Sequence, residues 1–138
     1  MTQKERQLLF NDLCARLPYG VRIHSYCLFD QDSVDPLYSL RECNGKIKIN
    51  DLYYIEEVKP YIFPLSSMTE EQENELYKIY SDEAELISEH LKSDISDNVH
   101  THRFNHHLSL NWYLKNHFDI NGLIEKGLAI DATNLNIY

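Results

Sequence analysis

Glycine is scarce in this chain, with four in 138 residues: Gly20, Gly45, Gly122 and Gly127. A phosphate cradle needs several glycines within one short loop, so neither a P-loop nor a dinucleotide fingerprint is present. No cofactor is expected on that count. Cysteine is equally sparse. Cys14, Cys27 and Cys43 are odd in number, far apart and form no C-x-x-C. That usage reads as reduced thiols of a cytosolic protein, each standing in for a small buried hydrophobe. No apolar run approaches the ~20 residues of a membrane span. The opening Met-Thr-Gln-Lys-Glu-Arg carries no apolar core of a signal peptide. A cytoplasmic protein with no membrane partner is the expectation. Positive charge is also short: 13 Lys and Arg face 22 Asp and Glu, a net charge of −9. Such a surface repels phosphate backbones and anionic lipids, which disfavours direct nucleic-acid binding. It leaves room for a local basic patch or for an acidic mimic of nucleic acid. Nor does any nucleophile have an activating base in view.

The hydrophobic fraction of 43% and aromatic fraction of 12% argue against disorder. A chain of this length suits one domain and buries roughly 68% of its unfolded surface. Lys59-Pro60-Tyr61-Ile62-Phe63-Pro64 followed by Thr69-Glu70-Glu71-Gln72 divides that single domain. It separates a strand-rich half, to about residue 64, from a helical half beginning at residue 69. Each proline fixes φ and removes a donor, which suits neither a helix interior nor a central strand. Thr69-x-x-Gln72 then opens a capping box.

Thr2-x-x-Glu5 is a second capping box, for a first helix to about Arg16 with Leu9, Leu13 and Leu17 on one face and Cys14 beside them. Pro18 and Gly20 end it. A strand is expected over Val21–Phe29 and a turn-rich acidic loop over Asp30–Pro36. Asn44-Gly45 between Leu37–Cys43 and Lys46–Ile49 is a strong hairpin signal, because both residues tolerate φ > 0. Another strand or extended segment is expected over Leu52–Val58. In the helical half, Leu76, Tyr80, Ala84, Ile87 and Leu91 recur at helical spacing, as one long helix or two broken near Ser81-Asp82. Leu110, Tyr113, Leu114 and Phe118 support another helix, with Trp112 at its flank. Gly122–Lys126 forms a short helical turn stopped by Gly127, and Leu128–Ile130 a short strand. The fold class is therefore α+β: an N-terminal helix, a small antiparallel sheet of three or four strands, then three helices packed on it.

Two groups of residues carry candidate chemistry. Six of seven histidines lie between His90 and His117. His102 and His106, four apart, would share a helix face at the spacing of a metal-ligand pair, with His100, Asp97 or Asp94 as a third ligand. The alternative function is thus a protein, or an enzyme, that binds a divalent transition metal through the His100–His107 cluster. Exposed or hydrogen-bonded structural histidines explain the same pattern. The second group is tyrosine, ten in all. Sheet packing accounts for many. Tyr53, Tyr54 and Tyr61 instead offer an aromatic face for a protein partner, since tyrosine is enriched at interfaces. Asp30 and Asp32 pair carboxylates after a strand, as phosphatases with an aspartate nucleophile do, but such enzymes need a parallel sheet where this chain has a hairpin signal.

Four phrases carry a resemblance. They are Asp12-Leu-Cys-Ala-Arg-Leu-Pro-Tyr-Gly-Val21, Tyr54-Ile-Glu-Glu-Val-Lys-Pro-Tyr61, Pro64-Leu-Ser-Ser-Met-Thr-Glu-Glu71 and Phe118-Asp-Ile-Asn-Gly-Leu-Ile-Glu-Lys-Gly-Leu-Ala-Ile130. In these the chain resembles small uncharacterised proteins carried in phage and prophage regions of gut bacteria. The resemblance implies a mobile-element origin. It brings no catalytic residue, because the group has no assigned activity. The expected function is a non-enzymatic phage or prophage accessory protein that binds another protein. Its partner and oligomeric state are not indicated by the residues.

Overall fold

The computed structural model describes residues 1–25, 34–93 and 108–138, with side chains throughout except over 83–93. The chain folds as two compact units. The first joins Met1–Leu65 to His117–Tyr138, and the second is Ser66–Asn116.

The first unit begins with α1 (Gln3–Arg16). Its capping box forms as expected: the Thr2 hydroxyl accepts from the Glu5 N–H at 3.1 Å, and the Glu5 carboxylate from the Thr2 N–H at 2.8 Å. Leu9 and Leu13 are fully buried, as are Asp12 and Arg16 on the same side. Cys14 lies one residue, about 100° of helix, beyond Leu13 and is exposed, as is Cys43. The expectation that both fill buried sites is corrected, and Cys27 lies outside the described residues.

Two sheets follow. One is built from β1 (Arg22–Ser25), β2 (Val34–Pro36), β6 (Val58–Ile62) and β7 (Ile130–Asp131), in the order β2–β1–β6–β7. The other runs in chain order through β3 (Leu40–Cys43), β4 (Lys46–Ile49) and β5 (Tyr53–Tyr54). The α+β class stands, with strands divided between two small sheets rather than one. Residues 34–36 belong to a strand rather than a loop, and Pro36 is tolerated there because β2 is an edge strand. Pro60 sits inside β6 opposite Ile23. The parallel β7 ladder starts only at Tyr61, so a missing N–H at Pro60 breaks no bond on that side. Asn44-Gly45 makes the expected hairpin: both have positive φ, 52° and 76°, and Cys43 pairs with Lys46 across the turn.

One hydrophobic cluster unites this unit. Leu9 and Leu13 of α1, Ile23 of β1, Ile47 and Ile49 of β4, Ile62 of β6 and Leu123 all belong to it. Each such side chain removed from water contributes about 1.5–3 kcal/mol. The segment after His117 returns to close the unit. The Phe63 N–H donates to His117 O and the Asp119 N–H to Phe63 O, both at 2.8 Å, and the Ala132 N–H donates to Ile62 O at 2.8 Å.

The second unit starts with the predicted Thr69 cap, where Thr69 Oγ1 accepts from the Gln72 N–H and the Gln72 side chain from the Thr69 N–H. Helix α2 (Glu70–Ser93) runs unbroken past Ser81-Asp82. Residues 108–115 form α3. Trp112 and Leu114 are buried and Leu110 is exposed, so Trp112 belongs to the inner side rather than the flank. Phe118 lies beyond the helix, bridged to Phe63. The hydroxyls of Tyr80 and Tyr113 share a hydrogen bond of 3.1 Å. Burial, then this bond, pushes Tyr113 up to about 12. No helix among the described residues is long and apolar enough to cross a membrane.

Candidate binding face

Register fixes which side chains share a face of the β3–β4–β5 sheet. Arg41 pairs with Lys48 and Cys43 with Lys46, and Lys48 pairs with Tyr54. Directly paired residues lie on the same side, and residues two apart along a strand do as well. Arg41, Cys43, Lys46, Lys48 and Tyr54 therefore line the outer face. Leu40, Ile47, Ile49 and Tyr53 turn the other way and join the core or pack against it.

The outer face concentrates cations on a protein of net charge −9. The Lys46 ammonium lies 5.3 Å from the Tyr54 ring centroid and that of Lys48 5.8 Å. Each such contact contributes about 0.5–1 kcal/mol at an exposed site. Arg41 pairs with Asp51 at 2.8 Å, both largely exposed. Like charges directly opposite across two strands are destabilising, so Arg41 opposite Lys48 is a cost that the fold retains.

Beside this face lies an open groove of about 540 Å³, lined by Arg6, Asn44, Lys46, Tyr54, Glu56 and Glu57 among others. Its acidic wall is internally satisfied. Glu56 pairs with Arg6 at 2.7 Å, and the Glu57 carboxylate accepts from the Tyr54 N–H at 2.8 Å. The groove therefore offers Tyr54 and Lys46, beside a Glu57 carboxylate held by the Tyr54 N–H.

The predicted site residues separate. Tyr54 is on the outer face and exposed, Tyr53 is half-buried against the core, and Tyr61 is 7% exposed. The Tyr61 hydroxyl shares a 3.2 Å hydrogen bond with His24 Nδ1 in the interior of the unit. His100, His102 and His106, like Asp30 and Asp32, lie outside the described residues. Among the described residues, no group of three or more His, Cys, Asp or Glu is placed to hold a metal ion. Sequence reading missed Arg41, Lys46 and Lys48. Their signal was the hairpin register, which stacks alternate residues of both arms on one side.

A second polar cluster is interior. Arg16 Nε donates to Asp12 Oδ2 at 2.6 Å, and Nη2 donates to Asp12 Oδ1 at 3.2 Å and to Phe118 O at 2.6 Å. Asn121 Nδ2 donates to Asp12 Oδ1 at 2.8 Å. The His117 ring, at φ 62°, stacks on Tyr138 with centroids 3.9 Å apart. Burial, then the Arg16 charge, lowers His117 to about 4. The Tyr138 hydroxyl donates to Tyr61 O at 2.7 Å and accepts from the Arg22 N–H at 2.8 Å. Burial pushes that hydroxyl up to about 12 against the Arg22 bond. This cluster fastens residues 117–138 to α1, β1 and β6. Asp12 and Arg16 are committed to each other, to Asn121 and to Phe118 O, whereas the buried His117 Nδ1 and Arg16 Nη1 have no hydrogen-bond partner among the described residues. Set against family models, curated proteins and solved structures, the chain matches none.

Proposed function

We propose that this protein acts without catalysis, by binding another protein at the groove and sheet face centred on Tyr54. One observation carries this reading: an exposed tyrosine ring flanked by two ammonium groups at the mouth of a groove of about 540 Å³. Tyrosine is among the common anchors of protein interfaces. The four phrases that resemble phage and prophage proteins support an accessory role in such an element.

The test is capture from a lysate of the native host on immobilised wild type, Tyr54→Ala and Tyr77→Ala, the last an exposed tyrosine of the second unit. The expected outcome is one stoichiometric partner retained by wild type and Tyr77→Ala and lost by Tyr54→Ala. Equal retention by all three, or by none, overturns the reading. Circular dichroism checks that each variant is folded.

A further inference from the structure

Resting on that reading, we infer that the partner presents an extended acidic segment, seated on the outer face of β3–β4–β5 with carboxylates on Lys46, Lys48 and Arg41. Strand geometry sets the spacing. Lys46 and Lys48, two apart on β4, are roughly 6.6–6.8 Å apart, and Arg41 lies one strand away, about 4.8 Å. An extended peptide repeats its side chains on one side with the same two-residue period. Asp or Glu at alternate positions therefore reaches both lysines from one strand.

Charge selects the occupant. The face holds three cations, and Asp51 is the one carboxylate ion-paired there among the described residues. A surface ion pair such as Arg41–Asp51 is worth about 0–1 kcal/mol, so Arg41 exchanges partners at small cost. On the groove wall Glu56 is ion-paired with Arg6, and Glu57 accepts one backbone N–H and keeps its charge, so the three cations of the face outnumber Asp51 and Glu57.

The same residues argue against single-stranded nucleic acid. Such ligands need open aromatic faces on which bases stack and a continuous basic track for the backbone. Here both ammonium groups lie over the Tyr54 ring and cover the face a base would stack on, and the cations of the outer face are three, Arg41, Lys46 and Lys48. The chain as a whole, at net −9, repels a long polyanion more than a short acidic segment.

The experiment uses the whole chain and three labelled probes in fluorescence anisotropy. They are a peptide alternating Glu and Ser, the same peptide with Gln for Glu, and a thymidine oligonucleotide. The Glu peptide should bind, weaken as salt is raised, and outcompete the other two. The double variant Lys46→Gln/Lys48→Gln, at exposed and half-buried positions, should weaken it by about tenfold. No binding to wild type, no change in the double variant, or tighter binding of the oligonucleotide each overturns the inference. Host-partner capture kept by the double variant but lost by Tyr54→Ala overturns it too, while the protein-binding reading stands. Capture indifferent to Tyr54→Ala removes that reading instead.

Discussion

Arg16 and Asp12, one helical turn apart on α1, form an ion pair in which both side chains are 0% exposed. Adjacent turns usually hold such pairs at the surface, where they contribute about 0.3–0.5 kcal/mol. Burial changes the stakes. Truncating one partner leaves an uncompensated charge among apolar side chains, at about 3–5 kcal/mol. Arg16→Ala and Asp12→Ala should each lower stability by that amount in urea denaturation. The double variant should lose less than the sum, since it leaves no lone charge. A change below about 1 kcal/mol for either single variant would contradict the buried pair.

His117 makes stability depend on pH. Its folded value is about 4 against an ordinary 6.5, so between these the unfolded chain binds more protons than the folded one. The stability that neutral His117 contributes is complete above about pH 6.5 and is lost as pH falls toward about 4. Arg16 is the charged group that reinforces the effect. His117→Phe keeps an aromatic ring against Tyr138 and removes the titration. Its urea midpoint should therefore vary less across this window than that of wild type. Parallel profiles would exclude His117 as the source.

Asn50 ties the first sheet to the second. Its side chain donates to Pro36 O at 2.8 Å and accepts from the N–H groups of Tyr38 and Ser39 at 2.9 and 3.1 Å. Its φ is 54°. Asn50→Gly frees the backbone but abandons three hydrogen bonds, and Asn50→Ala adds strain to the same loss. Both should destabilise by about 1–3 kcal/mol, with Ala the worse. Thermal denaturation would show it, and a neutral Asn50→Gly would rule out the tie.

Gly45 offers a cleaner measurement of turn geometry. A Cβ placed there meets nothing within 4 Å, so any penalty is conformational rather than steric. Gly45→Ala should cost about 1 kcal/mol. A much larger drop in melting temperature than this implies would show that the hairpin turn is supported by contacts as well as by φ.

Local chemistry was the most readable part of the sequence. Thr2, Thr69 and Asn44-Gly45 act through neighbours three or fewer residues away, and each does what its spacing predicts. Pairings between distant segments were not readable. Pro60 looks like a strand breaker until β7 is seen to begin one residue later. Asp12 and Arg16 look like a surface pair because Phe118 and Asn121, which complete their hydrogen bonds, lie 102 and 109 residues on. The candidate face was half readable. Tyr54 stood out by residue type, whereas Arg41, Lys46 and Lys48 meet only once the hairpin register is known. Tyr61 has the same composition signal as Tyr54 and the opposite burial, its hydroxyl bonded to His24 of the neighbouring strand.

The Arg16 contact with Phe118 O spans 102 residues, which has a consequence during synthesis. A ribosome adding about 5–20 residues per second needs roughly 5–20 s to travel from one to the other. Throughout that interval the nascent first unit has a charged guanidinium with no carbonyl to receive it and an apolar core lacking Leu123 and Leu128. A cell making this protein must shelter that incomplete half, or tolerate its brief exposure, until the returning segment emerges from the exit tunnel.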